Sequence, residues 1–445
     1  MQASTRRRAA AAAVVLGALV APSQAAQGAG PSSRAGGRTE RISVSSSGSE
    51  GNERSNHPAL SGNGRYVAFV SLASNLVHGA GGNRTDVFVR DRVAGTTRLV
   101  SVAADGSPGI GWSDTASISA DGRYVVFESD ASNLVAGDTN DEYDIFVRDL
   151  RSRITERLSV SASGAQADEE SFEPTISADG RYVAFGSFAH NLTPSSGVFE
   201  GIYVKDRQTG AVELATVNSR EEPANALPYS PQISATGRFV AFTWRARNLP
   251  RQHSEDVYLR DRLRGTTRLV SRVPRDQANS VSLQAERESF SCGVSDNGRY
   301  VAFTSNASNL VPGGTKNLRS HIYLRDMRRG TTRLIDRGGD GLEAYGQAPN
   351  CALCGDSRFV AFVSGATNLV RGDINRNPDV FVWNRSTHRI AVVSINSTGG
   401  QANDAPDVWS LAISDSGGVV AFASYADNLV AGDTTDNEDV FVRSR

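Results

Sequence analysis

Gly122-Arg123-Tyr124-Val125-Val126-Phe127 decides the fold, because the chain writes the same phrase again and again. Gly64-Arg65-Tyr66-Val67-Ala68-Phe69 precedes it, and Gly180 to Phe185, Gly237 to Phe242 and Gly298 to Phe303 follow. Ser357 to Phe362 and Gly417 to Phe422 are two degenerate copies. The starts lie 58, 58, 57, 61, 59 and 60 residues apart, so one unit is present seven times.

Around each phrase the unit divides into four short strand signals, rich in Val, Phe, Tyr and Leu and alternating with polar residues. In the second unit strand a is expected at Ala116 to Ser119, ending in the turn Ala120-Asp121-Gly122. Strand b follows at Arg123 to Glu128, strand c at Asp144 to Arg148 and strand d at Glu156 to Val160. In the first unit the c–d turn runs from Asp91 to Thr97, with Gly95 placed for a positive φ. No segment has a helical period.

The seventh unit stops after its third strand, Asp439 to Arg443. The missing piece stands at the other end, where Glu40-Arg41-Ile42-Ser43-Val44-Ser45 matches the strand-d segment Thr97 to Val102. A ring closes this way. The expected fold is all-β, a seven-bladed β-propeller of four-stranded antiparallel blades, with the N-terminal strand completing the last blade.

The run Ile176-Ser177-Ala178-Asp179-Gly180-Arg181-Tyr182-Val183-Ala184-Phe185, followed later by a strand of the Asp-Ile-Phe-Val-Arg-Asp type, resembles TolB-like and WD-repeat-like propeller repeats. The resemblance covers about residues 39–445. It implies the propeller and no single activity, because such repeats occur in adaptors, in peptidase-associated propellers and in secreted chains. TolB itself has a further α/β domain and six blades. Seven anchors leave no room for that domain, so a Tol-system role does not follow.

Arg6, Arg7 and Arg8, the apolar run Ala9 to Val20 and Ser23-Gln24-Ala25 have the pattern of a cleaved signal peptide over residues 1–25. Residues 26–38 read as a flexible linker, leaving the propeller at 39–445. The expectation is a secreted protein without a membrane span, and a monomer. With 47 basic against 48 acidic residues there is no cationic excess for nucleic acid.

Asn-Leu recurs in every unit, from Asn75-Leu76 and Asn133-Leu134 to Asn428-Leu429. The expected roles are an Asx-type turn for Asn and packing between blades for Leu. The arginine after each glycine is expected to pair with a strand-end aspartate such as Asp91 or Asp149.

Three loops before strand c carry crowded oxygen donors: Asp138, Asn140 and Asp144; Asp373, Asn375 and Asp379; and Asp433 with Asp439. Such donors suit Ca²⁺, and an acidic Asx turn is the plainer alternative. The d–a connections are the expected ligand-binding face, with Trp112, Phe172, Tyr229, Phe290, Tyr345 and Trp409 beside Asp114, Glu170, Glu288 and Asp407. Plugging of gaps between blades is the alternative for the aromatics. Cys292 and Cys351 occupy the same register 59 residues apart, which favours an interblade disulfide over Cys351 with Cys354.

No Gly-x-Ser-x-Gly elbow, no His-Glu-x-x-His and no phosphate loop is present, and the six histidines are scattered. The expected function is a non-enzymatic module that binds an extracellular protein, peptide or glycan. The alternative is an extracellular hydrolase, of glycosidase or peptidase type, that uses carboxylates on the same face.

Overall fold

The computed structural model describes residues 37–194, 200–223, 228–244, 255–274, 289–317, 319–339 and 341–445. The expected signal peptide and Glu288 lie outside them. Seven four-stranded antiparallel sheets form the blades of a β-propeller, and each of the first six uses four consecutive strands. The seventh joins Pro406–Ile413, Val419–Ser424 and Asp439–Ser444 to the N-terminal strand Thr39–Arg41. Thr39 pairs with Arg443 and Arg41 with Phe441, so the two ends of the chain share one sheet.

Sheets with two apolar faces cannot stand alone in water, and here each buries its faces against its neighbours. Ala68, Val87 and Val89 of blade 1 share an apolar cluster with Val125, Phe127 and Phe146 of blade 2. Val67 and Phe69 of blade 1 do the same with Ala421 and Val440 of blade 7.

The recurring phrase is the stitch between blades. Gly122 has φ +72°, and a Cβ there would run into the ring of Tyr66 in the blade before. Gly180 stands against Tyr124 in the same way, and only a glycine meets both demands. In the degenerate sixth copy Ser357 takes the left-handed conformation instead, at φ 58°. The ring of Tyr124 also lies between two guanidinium groups, Arg123 at 4.7 Å and Arg207 of the next blade at 4.3 Å. Arg65, Arg123, Arg181, Arg238 and Arg299 pair with Asp91, Asp149, Asp206, Asp261 and Asp326.

The repeated asparagines do more than close a local turn. Asn133 accepts the Ile110 N–H at 2.9 Å and donates to the Pro108 carbonyl at 2.9 Å, which clamps the preceding d–a connection. Asn75, Asn191, Asn368 and Asn428 repeat the bridge.

Inner strands begin earlier than the alternation predicts. Strand a of blade 2 is Ser113–Ile118 and strand d is Ile154–Arg157. The cause is a bulge at the third residue of strand a: Asp114 pairs with Glu128 and Ser117 with Val126, which leaves Thr115 and Ala116 opposite one residue. That extra residue breaks the period of two.

Candidate functional site at the mouth of the channel

The seven inner strands start at one end of the channel, at Ser55, Ser113, Ser171, Pro228, Ser289, Asn350 and Pro406. By pairing register the equivalent residues are Asn56, Asp114, Phe172, Tyr229, Phe290, Asn350 and Asp407. Blades 3 to 5 contribute an aromatic arc. Blades 7, 1 and 2 contribute a polar, acidic one.

The third residues of blades 1 to 4, His57, Thr115, Glu173 and Ser230, have φ of 47°, 37°, 51° and 54°. Four non-glycine residues in left-handed conformation at one level of one channel are strained backbone in the place where function concentrates. Each turned N–H has an acceptor. His57 donates to Ser410 Oγ of blade 7 at 3.0 Å, Glu173 to Glu128 Oε2 of blade 2 at 2.7 Å, and Ser230 to Glu173 Oε2 of blade 3 at 2.8 Å. Thr115 donates to Asp114 Oδ1 at 2.8 Å.

His57 Nδ1 lies 3.0 Å from Asp114 Oδ1. Burial acts to lower the His57 pKa, but the bond and charge of Asp114, with Asp407 and Glu438, carry it above its ordinary value. Burial likewise acts to raise Asp114, and His57 more than offsets that, holding the carboxyl below its ordinary range. The pair favours an ionised carboxylate beside an imidazolium.

Glu438 completes the acidic arc. Its backbone carbonyl accepts the Ser55 N–H at 2.7 Å, which sets the residue beside strand a of blade 1. The residue is 3% exposed; Asn56 Nδ2 donates to Oε2 at 3.4 Å, and Oε1 has no hydrogen bond. Burial, reinforced by Asp407, pushes this carboxyl up to about 7. Tyr143 occupies the same register in blade 2, and burial raises its hydroxyl too. One mouth thus holds an ionised carboxylate and a protonated one, the division of labour that acid–base chemistry needs.

The aromatics divide. Phe172 is 6% exposed and stacks on Phe188 at 5.1 Å, so it fills the gap beside Gly186. Tyr229 and Phe290 are half-buried and meet at 6.0 Å across blades 4 and 5. Trp409 is 59% and Trp112 42% exposed, on or beside the strands that carry Asp407 and Asp114. Tyr345 stands apart, in a d–a connection where its N–H bonds to Asn368. Phe172, Tyr229, Phe290 and Trp409 lie within strand a, not in the loops where alternation places them. Glu170 is buried at the start of the blade 3 strand. His57, Glu128 and Glu438 escaped sequence reasoning. The available signal was variation beside a recurring frame: where strand c starts with aspartate, the residue before it is Thr85, Tyr143, Glu255, Pro378 or Glu438.

The three oxygen-rich loops are not alike. In blade 2 Arg157 Nη1 lies 3.1 Å from Asp138 and 3.3 Å from Asp144. In blade 7 Arg41 pairs with Asp433 and Asp439, both at 3.1 Å, and with Glu50. Blade 6 has no such arginine. Cys292 and Cys351 form a disulfide between the inner strands of blades 5 and 6, with Cα atoms 5.2 Å apart. Cys354 is a buried free thiol, which burial pushes up to about 12.

These features define a closed seven-bladed propeller with an acidic and aromatic channel mouth. No family model matches the sequence, and no curated protein is significantly similar to it. Among solved structures, an oligogalacturonate lyase in complex with manganese is similar over 92% of this chain and 96% of its own, at 10% identity and a TM-score of 0.53. The β-propeller domain of the trilobed protease from Pyrococcus furiosus is similar over 84% and 91%, at 12% identity and a TM-score of 0.51. An acylaminoacyl peptidase matches over 84% of this chain, at 12% identity and a TM-score of 0.51, and this chain spans about half, 49%, of its length. TolB from Acinetobacter baumannii is also similar, at 14% identity and a TM-score of 0.38. At such identities the likeness is one of fold, and the seven-bladed propeller expected from the repeats is the fold observed. The expectation of a non-enzymatic binding module is corrected: several of the similar propellers bear the names of enzymes, peptidases and a lyase. Among the described residues no helix is long and apolar enough to cross a membrane.

Proposed function

We propose that the protein is an extracellular hydrolase that cleaves glycosidic bonds at the channel mouth. Glu438 is the general acid that protonates the leaving oxygen. Asp114, kept ionised by His57, is the partner carboxylate. Tyr229, Phe290 and Trp409 supply faces for sugar rings to stack on. The observation that carries the reading is the opposed pair: Asp114 bonded to His57 at 3.0 Å, and Glu438 buried with one oxygen unbonded in the same mouth.

Peptide cleavage is the weaker form of the hydrolase reading, because the chain has no nucleophile elbow. The peptidase match also leaves about half of that longer chain outside it. The lyase match spans both chains almost completely, and the name of that protein is a glycan activity. A panel of polysaccharides and peptides, assayed for released reducing ends and amines, tests the proposal. Turnover of a glycan that Asp114→Asn or Glu438→Gln lowers by about 10²-fold or more supports it. Turnover that survives both changes, or confined to peptides, overturns it.

A further inference from the structure

Three blades present the same pair of aspartates to the same place, and two of them answer it with an arginine. Asp138 and Asp144 of blade 2 share Arg157, which also donates to the Gly137 carbonyl at 3.0 Å. Asp433 and Asp439 of blade 7 share Arg41, which donates to the Gly432 carbonyl at 2.8 Å. Both arginines sit at one register position of strand d, Arg157 opposite Phe146 and Arg41 opposite Phe441.

In blade 6 that position is Val392, opposite Phe381. The carboxylates remain. Ser394 Oγ donates to Asp379 Oδ1 as Ser159 does to Asp144. Asp379 is fully buried, its Oδ2 has no hydrogen bond, and Asp373 Oδ1 is also buried without one. In blade 2 the amide of Gln166 donates to both aspartates, at 2.9 and 3.0 Å. In blade 6 the equivalent Gln401 accepts the Ile374 N–H at 3.2 Å through Oε1. No cationic side chain acts on either carboxyl; burial raises both, Asp379 to about 6 against the opposing pull of Ser394 and the neighbouring Asn375 amide. A buried carboxylate beside a half-buried one, neither with a counter-charge, destabilises a fold, so such groups are paired or bind a metal.

We infer that the Asp373–Asp379 loop of blade 6 is a divalent cation site, with Ca²⁺ as its ion, standing where an arginine stands in blades 2 and 7. The donors are Asp373 Oδ1, Asp379 Oδ2 and, by register with Gly137 and Gly432, the Gly372 carbonyl. All are oxygens, and water completes a shell of six to eight. Two negative charges match a divalent ion. Asn375 and Asn377 of the same loop donate to the carbonyls of Ala402 and Asn403, so the ion would stiffen the segment that leads to Asp407 and Trp409.

Calorimetric titration of the metal-stripped chain with CaCl₂, paired with melting curves, tests this. The wild type is expected to bind one ion per chain and to melt higher with Ca²⁺. Val392→Arg, which copies the sister blades, is expected to lose both responses. Asp373→Asn and Asp379→Asn are expected to weaken binding by about tenfold or more. A wild type with neither heat nor melting shift overturns the inference, as does Val392→Arg binding like the wild type. If that variant fails to fold, unchanged binding by both asparagine variants overturns it equally.

Discussion

His57 of blade 1 and Asp114 of blade 2 meet across a blade boundary with 3.0 Å between Nδ1 and Oδ1, and the backbone of His57 is held at φ 47° to make the meeting. Left-handed backbone at a non-glycine residue costs about 1–3 kcal/mol. His57→Gly is therefore expected to leave stability nearly unchanged, since lost contacts offset relieved strain. The same change should lower turnover by at least about tenfold, because Asp114 loses its partner. Urea unfolding beside an activity assay separates the two effects.

The mouth should also set the pH dependence of stability. Glu438 has a folded value near 7 against an ordinary 4.5, so the folded state holds its proton where the unfolded chain has lost it. His57, raised from 6.5, does the same at higher pH. Both contributions are present at low pH and are lost as pH rises, that of Glu438 between 4.5 and about 7 and that of His57 above 6.5. Asp114 is lowered and works in the opposite sense, its contribution being lost as pH falls below 3.8. These groups place the greatest stability at about pH 4, with a decline toward pH 7, and Glu438→Gln should flatten that decline. Melting temperatures from pH 4 to 8 check it.

Ring closure depends on Arg41. Its side chain is 9% exposed and faces Asp433 and Asp439, each 2% exposed. Removing one partner of a buried ion pair leaves uncompensated charge, at a cost of about 3–5 kcal/mol. Arg41→Ala should show that loss in urea unfolding, whereas Arg65→Ala, whose guanidinium is exposed, should lose far less.

The interblade glycines offer a matched comparison. Gly122→Ala meets both a positive φ and the Tyr66 ring, while Gly106→Ala meets a positive φ with open space around it. The first should cost about 1–3 kcal/mol more than the second, by the same unfolding measurement.

The fold was readable from the sequence because the stitch varies little, in five full copies and two degenerate ones. Glycine at 122 and the aromatic at 124 serve contacts between blades, and arginine at 123 ties strands b and c of its own blade through Asp149, so they repeat with the blades. The site was less readable for a physical reason. The bulge at His57, Thr115, Glu173 and Ser230 breaks alternation where the functional residues sit, and it moves Asp114, Tyr229 and Phe290 from strand to apparent loop. Glu438 was hidden behind Asp439, whose crowded carboxylates suggest a metal and also face Arg41. The difference among the three acidic loops turns on residues 41, 157 and 392, which lie on strand d outside the loops, Arg41 at the other end of the chain.

The role of Glu438 as a proton donor is the most exposed part of the proposal. The decisive measurement compares Glu438→Gln with the wild type on two glycosides of the same sugar, one with an unactivated alcohol as leaving group and one with an activated phenol. The proposal predicts a loss of about 10²–10⁴-fold on the first and near wild-type cleavage on the second, since a good leaving group needs no proton. Equal rates for variant and wild type on both, or equal losses on both, would contradict it.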